Sequence, residues 1–373
     1  MIYLDSAATS LYKPETVQCA VMEAINTMAS PGRGVHAPAM RAADCCYACR
    51  ENLAELFHLM NPEIVVFTFN ATHALNIAIR SLVRRGTRVL ISGFEHNSVT
   101  RPLHALGAKV RVVSAPLFSP EVFLRKARQM LPWAEVVVCT HVSNAFGYIL
   151  PVERLARLCA GQRKPLIVDA SQSAGVLDIN FPALGADFVA MPGHKGLLGP
   201  QGTGVLLCKN DALPLLYGGS GSASREQKMP DFLPDRLEAG THNVAGIAGL
   251  NAGVEYILAN GCAEIREREC ELMRRFADRV SDVRGLRVFR AGDDAVQSGV
   301  LSVLPENISC EAFAEALGAQ DVAVRAGLHC APLAHRSAGT LESGTVRFSF
   351  SPFNTASQID RAAEICKNIL EKT

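Results

Sequence analysis

The run FVAMPGHKGLLGPQGTGVLL, residues 188–207, reads as a strand, a glycine-rich turn and a second strand. The first strand, DFVAMP (187–192), is apolar at consecutive positions, as strands covered on both faces are. It ends in Pro192-Gly193, and His194-Lys195 follow directly. A lysine at a strand end among small residues can approach a ligand closely. Desolvation there depresses its pKa and frees the amine to form a Schiff base. GPQGTG on its own is a weak signal, since glycine-rich turns are common.

Working outward, LIVDASQSAG (166–175) ends a strand in Asp169, with Gln172 three residues on. A carboxylate at a strand end suits a protonated ring nitrogen, although strand-end aspartates also form turns and caps. Further strands are expected at EIVVFTF (63–69), TRVLISG (87–93), KVRVVSA (109–115), EVVVCTHV (135–142) and TGVLLCK (203–209). Between the earlier ones lie helical stretches. In ATHALNIAIRSLVRR (71–85), Ala74, Ile77, Ala78 and Leu82 fall near one face. This alternation predicts an α/β fold with a mostly parallel sheet. Ligands of such sheets sit beyond the carboxyl ends of the strands.

After about residue 220 the character changes. GGSGSASREQKMPDFLPD (218–235) reads as a loop. A helical region follows over 244–283, interrupted at Gly261. The remainder mixes the strands LRVFR, GVLSVLP and TVRFSFS with helices at 310–317 and 355–371. The last helix opens with a capping-box spacing, Thr355 to Gln358. Two units are expected: a large α/β domain over 15–250, and a smaller α+β domain of 1–14 plus 251–373.

Lys and Arg number 37 and Asp and Glu 36, a net charge of +1, so neither nucleic acid nor an acidic membrane is an expected partner. With 49% hydrophobic residues the chain can bury a large core. The start, MIYLDSAATS, lacks the basic, apolar pattern of a secretory signal. No apolar run reaches the roughly 18 residues of a membrane span. The twelve cysteines are scattered, so free thiols and a cytoplasmic setting are expected. DCCYACR (44–50) has a redox- or metal-like spacing. It falls in a helical pattern with no second ligand pair, so its cysteines read as packing residues and no metal is expected.

Ten stretches, taken in order, resemble the pyridoxal-phosphate cysteine desulfurases of the class V aminotransferase family, in the SufS-like and selenocysteine lyase branch. They are YLDSAATS, RGVH (33–36), FTFNATHALN, EHNS (95–98), VSNAFG (142–147), VDASQS (168–173), GHKGLLGPQGTG (193–204), LEAGTHN (237–243), VRAGLHCAP (324–332) and VRFSFSPFNT (346–355). The resemblance implies the fold type I of pyridoxal-phosphate (PLP)-dependent transferases, with a mainly parallel seven-stranded sheet.

It also implies roles. Lys195 carries the cofactor as a Schiff base, Asp169 pairs with its ring nitrogen, and Gln172 bonds its phenolic oxygen. His96 stacks on the ring and shuttles protons. Ala71, Thr72 and His194 hold the phosphate, and Thr241 reaches it from the other subunit of a homodimer. Asn144 and Arg347 hold the substrate carboxylate, and Arg325 sits by the cysteine loop. Cys330 accepts sulfur from L-cysteine as a persulfide, and L-alanine is released. Arg325 and His329 favour the thiolate. Cys330 reaches across a cleft on its loop, so loop mobility is expected to limit turnover. The alternative is a selenocysteine lyase or related PLP β-lyase. Three positions depart from the family pattern: Pro192 replaces a frequent serine, Ala71 a frequent threonine and Leu328 a frequent histidine. A sulfur-acceptor protein, as in iron–sulfur cluster assembly, is a further expected partner.

Overall fold

The structure is a computed structural model and describes residues 1–32, 34–209 and 212–372. Arg33 of the RGVH stretch lies outside the described residues. After a two-residue strand, Ile2–Tyr3 (β1), all seven expected central strands form. They are Val65–Thr68 (β2), Arg88–Ser92 (β3), Lys109–Val113 (β4), Val136–Thr140 (β5), Leu166–Asp169 (β6), Phe188–Pro192 (β7) and Gly204–Cys208 (β8). They make one sheet in the order β2-β8-β7-β6-β5-β3-β4. Only β8 runs antiparallel to its neighbours. The connection over 193–203 explains this: it holds no helix and is too short for a parallel crossover.

Successive residues of these strands bury into two different cores. Val137, Cys139, Val168, Val189 and Met191 join one, while Val136, Val138, Ile167, Phe188 and Ala190 join the other. Burial on both faces is why these strands are apolar at consecutive positions. A third core gathers Leu4, Phe276, Phe313, Phe348 and Ile359. Each such side chain contributes about 1.5–3 kcal/mol by leaving water.

The third core underlies a sheet of Leu286–Phe289 (β9), Val300–Pro305 (β10), Arg325–Gly327 (β12) and Thr345–Ser349 (β13), ordered β12-β13-β10-β9. Val322–Ala323 (β11) pairs with β1, so the N-terminal segment packs among C-terminal elements. Strands of two or three residues are too short to show a period in sequence. The expected division at 250/251 falls inside the helix Val244–Asn260. That helix ends at Gly261, whose φ of 84° suits glycine, before the helix Cys262–Val280. The capping box at Thr355 and Gln358 forms as expected. Among the described residues, no helix is long and apolar enough to cross a membrane.

Candidate active site

The sheet order brings the carboxyl ends of β3, β5, β6 and β7 side by side. His96 follows β3, Asn144 follows β5, Asp169 ends β6 and Lys195 follows β7. Four distant segments therefore meet at one edge. A cavity of about 560 Å³ opens there. Eleven expected residues line it: Ala71, Thr72, His96, Asn144, Asp169, Gln172, His194, Lys195, Arg325, Cys330 and Arg347. Thr241 is exposed and borders other hollows, beside Phe69 and beside Arg50.

Burial, followed by the charge of Arg347, pushes the Lys195 amine down to about 8. Asp169 is buried, and its Oδ1 accepts from the Ser171 amide at 2.9 Å and hydroxyl at 2.5 Å. Both bonds fall on Oδ1, which leaves Oδ2 for a further donor. Gln172 Nε2 donates to the Ala7 carbonyl at 2.9 Å. Asn70 caps the helix Ala71–Leu82, its side chain accepting from the His73 amide. The amides of Ala71 and Thr72 precede the first intrahelical bond, so this end can receive an anion.

His96 caps the helix Asn97–Ala105, its Nδ1 accepting from the Ser98 amide at 3.0 Å. The neutral ring therefore carries its proton on Nε2. Ser98 Oγ lies 2.9 Å from that Nδ1 and 2.8 Å from Thr72 Oγ1, joining two cavity residues. Burial lowers the His96 pKa, and Asp169 opposes the shift. His194 is pushed down to about 4 by burial, and its Nδ1 lies 3.0 Å from Thr9 Oγ1.

Cys330 sits in a turn between β12 and the helix Pro332–Ala338. His329 and Cys330 have φ of 50° and 56°, a left-handed conformation uncommon outside glycine. The turn is tied down. The Asn97 amide donates to the Cys330 carbonyl at 2.8 Å, and Asn144 Nδ2 to the His329 carbonyl at 2.7 Å. His329 does not supply the positive charge expected of it. Its ring is buried, and desolvation pushes it down to about 2. Its Nε2 faces Thr345 Oγ1 at 3.2 Å. Leu328 is exposed.

Of the twelve cysteines, Cys19 and Cys330 are the exposed ones, and only Cys330 borders the cavity. Burial pushes the Cys46 thiol up to about 12 and raises Cys49 well above its usual range. Among the described residues, no group of three His, Cys, Asp or Glu is placed to hold a metal ion.

Arg347 is buried; its guanidinium donates to the Asn144 carbonyl at 3.0 Å and to Asp5 Oδ1 at 2.6 Å. Three supporting acids escaped the motif reading. Asp5 also meets Arg325 at 3.1 Å. Glu95 is fully buried, and its Oε1 accepts from Ser92 Oγ at 2.5 Å and the Thr140 amide at 2.8 Å. It clamps the ends of β3 and β5 beneath His96. Glu238 takes Arg50 on both oxygens, at 2.8 and 2.5 Å, and accepts from the Phe67 amide at 2.6 Å. That buried pair fixes the segment bearing Thr241. Asp5, Glu95 and Glu238 lay within quoted motifs, but only their long-range partners reveal what they hold.

Residues 2–362 match the family model described as Aminotransferase class-V. A probable cysteine desulfurase of Methanothermobacter thermautotrophicus is 32% identical over 380 residues, covering 99% of this chain and 94% of its own. The apo structure of a cysteine desulfurase from Thermococcus onnurineus NA1 matches with a TM-score of 0.91 at 30% identity, covering 100% of this chain and 95% of that one. The cysteine desulfurase CsdA of Escherichia coli, in an S-sulfonic acid form, matches at 0.84 and 28% identity, covering 100% and 95%. The mostly parallel seven-stranded sheet and these relatives agree on fold type I, and the chain belongs to the class V aminotransferase family, among its cysteine desulfurases.

Proposed function

We propose that this chain converts L-cysteine to L-alanine and takes the sulfur onto Cys330 as a persulfide, using pyridoxal 5'-phosphate. One observation carries the reading: the single cysteine bordering the cavity shares it with a lysine whose amine burial has made less basic, so that its neutral, nucleophilic form is within reach. The residues present fit the cofactor. A lysine for covalent attachment, a carboxylate with one free oxygen and a helix N-terminus for phosphate line one cavity. Lys195, Asp169, Gln172, His96, Ala71, Thr72 and His194 would hold it. When bound, it supplies an electron sink for the substrate's α-carbon.

The chain's own groups do the rest. Arg347 and Asn144 bind the substrate carboxylate, with Arg325 nearby. The Lys195 amine is the base that takes the α-proton. His96 holds a proton on Nε2 at the cavity wall. The Cys330 thiolate attacks the substrate sulfur; an S–S bond forms as the Cβ–S bond breaks, Cβ takes a proton, and Lys195 returns a proton to Cα to give alanine. Selenocysteine lyase is not favoured, since the relatives are named cysteine desulfurases.

Further parts of the proposal concern the assembly. A homodimer completes the site, because Thr241 lies outside the cavity of its own chain. The large unit runs from 15 to Gly261, and the small unit takes 1–14 and the remainder. The persulfide passes to an acceptor protein for iron–sulfur cluster assembly, and the free thiols suit the cytoplasm. Loading the protein with pyridoxal 5'-phosphate should turn it yellow, and borohydride should then fix the cofactor to Lys195. Failure of Lys195→Ala to abolish that fixation would refute the site.

A further inference from the structure

The helices Pro120–Met130 and Val152–Gly161 precede and follow β5 and pack side by side. Their inner faces, with Leu124, Ala127, Leu155 and Cys159, join the same core as Val137 and Val168. Between their outer faces lies a surface groove of about 430 Å³. Arg125 and Arg128 line it from one helix, Arg154 and Arg157 from the other, and all four are exposed. The i, i+3 spacing sets each pair on one face of its helix.

Charge in this groove is one-sided. Its lining holds one acid, Glu121, and Arg154 grips both of its oxygens, one bond at 2.9 Å. The other charged residues of the two helices are Lys126, which donates to the Ser114 carbonyl at 2.7 Å, and Glu153, which lies 3.7 Å from His141; neither lines the groove. Arg125, Arg128 and Arg157 have no carboxylate partner among the described residues. The lining therefore carries three positive charges in excess, in a chain whose net charge is +1.

Guanidinium groups pair with carboxylates through two parallel bonds, which ammonium groups do not. Side chains one turn apart stand about 5 Å apart along a helix, and packed helices lie about 8–10 Å apart. Cations spread over such a patch match several separated carboxylates better than one compact ion. No aromatic side chain lines the groove for a base to stack on, and its apolar residues are Leu124 and Leu158. We propose that this groove docks an acidic segment of a partner protein, with carboxylates repeating at helical spacing. The face assigned above to the homodimer, around Thr241, is built from other elements, so the groove is not part of it.

The test uses the full-length, PLP-loaded enzyme and a fluorescein-labelled, alanine-based peptide with glutamates at i, i+3 and i+7; a control peptide has glutamines there. Fluorescence anisotropy should show binding of the glutamate peptide alone, with a Kd that rises with salt. Arg125→Gln/Arg128→Gln should weaken it at least about tenfold, while alanine release from cysteine stays within twofold of wild type. Arg84→Gln/Arg85→Gln, an exposed pair elsewhere, should leave binding within twofold. Absence of binding, or equal losses in the two double variants, overturns the proposal. Tighter binding of a short DNA duplex than of the glutamate peptide would make this a nucleic-acid site, and displacement of the peptide by an equal concentration of inorganic phosphate would reduce it to a simple anion site; either result overturns the proposal as well.

Discussion

The amide of Asn97 donates to the carbonyl of Cys330 at 2.8 Å, so the helix capped by His96 also holds the cysteine turn. Asn144 holds the preceding carbonyl at 2.7 Å. These bonds stabilise two consecutive residues at positive φ, a conformation that costs of order 1–3 kcal/mol per residue. Both tethers hold the backbone of the turn at the cavity's border. Asn144→Ala should raise hydrogen exchange at 328–331 and slow persulfide formation roughly tenfold. Unchanged exchange in that segment would show that the tether is unimportant.

Thiol exposure predicts reactivity. Iodoacetamide should modify Cys330 and Cys19 first in the folded protein, because the other ten thiols are less exposed. Cys19→Ser should leave one fast site, identified by peptide mass analysis. Rapid modification of Cys46 or Cys49 would contradict their packing role.

Lys195 carries a pH signature. An unfolded lysine titrates near 10.5, and the cavity lowers this one to about 8. Between those values the unfolded chain binds more protons than the folded one, so this group makes cofactor-free stability rise with pH across that window. The neutral amine is the reactive form. The rate at which added pyridoxal 5'-phosphate becomes borohydride-fixable should therefore climb through about pH 8. A climb centred near 10.5 would mean that the lysine is solvated.

Glu95 carries the opposite sign. Burial raises its pKa from 4.5 to about 8, against the hydrogen bonds from Ser92 and Thr140. Its contribution is whole below pH 4.5 and is lost as pH rises through about 8. Glu95→Gln keeps an acceptor at Oε1 without the titration. Its Tm should fall less than that of wild type between pH 5 and 8.5, and parallel profiles would show that Glu95 does not titrate there.

Much of this was legible in the chain itself. The consecutive apolar positions of β5, β6 and β7 announce strands buried on both faces, and strand ends mark Asp169 and Lys195. Three things were not legible. The reversal of β8 depends on turn length, and nothing in its own apolar run reveals direction. Asp5 acquires meaning only when strand pairing sets Arg325 against Arg347, over 300 residues away. His329 looks in sequence like a cation beside a cysteine. In space it is a desolvated ring packed against His335, with centroids 5.6 Å apart.

Alanine release from L-cysteine by the PLP-loaded enzyme, with persulfide on residue 330 read by mass, tests the central claim most directly. Wild type should release alanine and carry the extra sulfur on Cys330. Cys330→Ala should still bind the cofactor but lose at least about a hundredfold in alanine release, as expected when the attacking nucleophile is removed. Alanine release at an undiminished rate from Cys330→Ala would contradict the account.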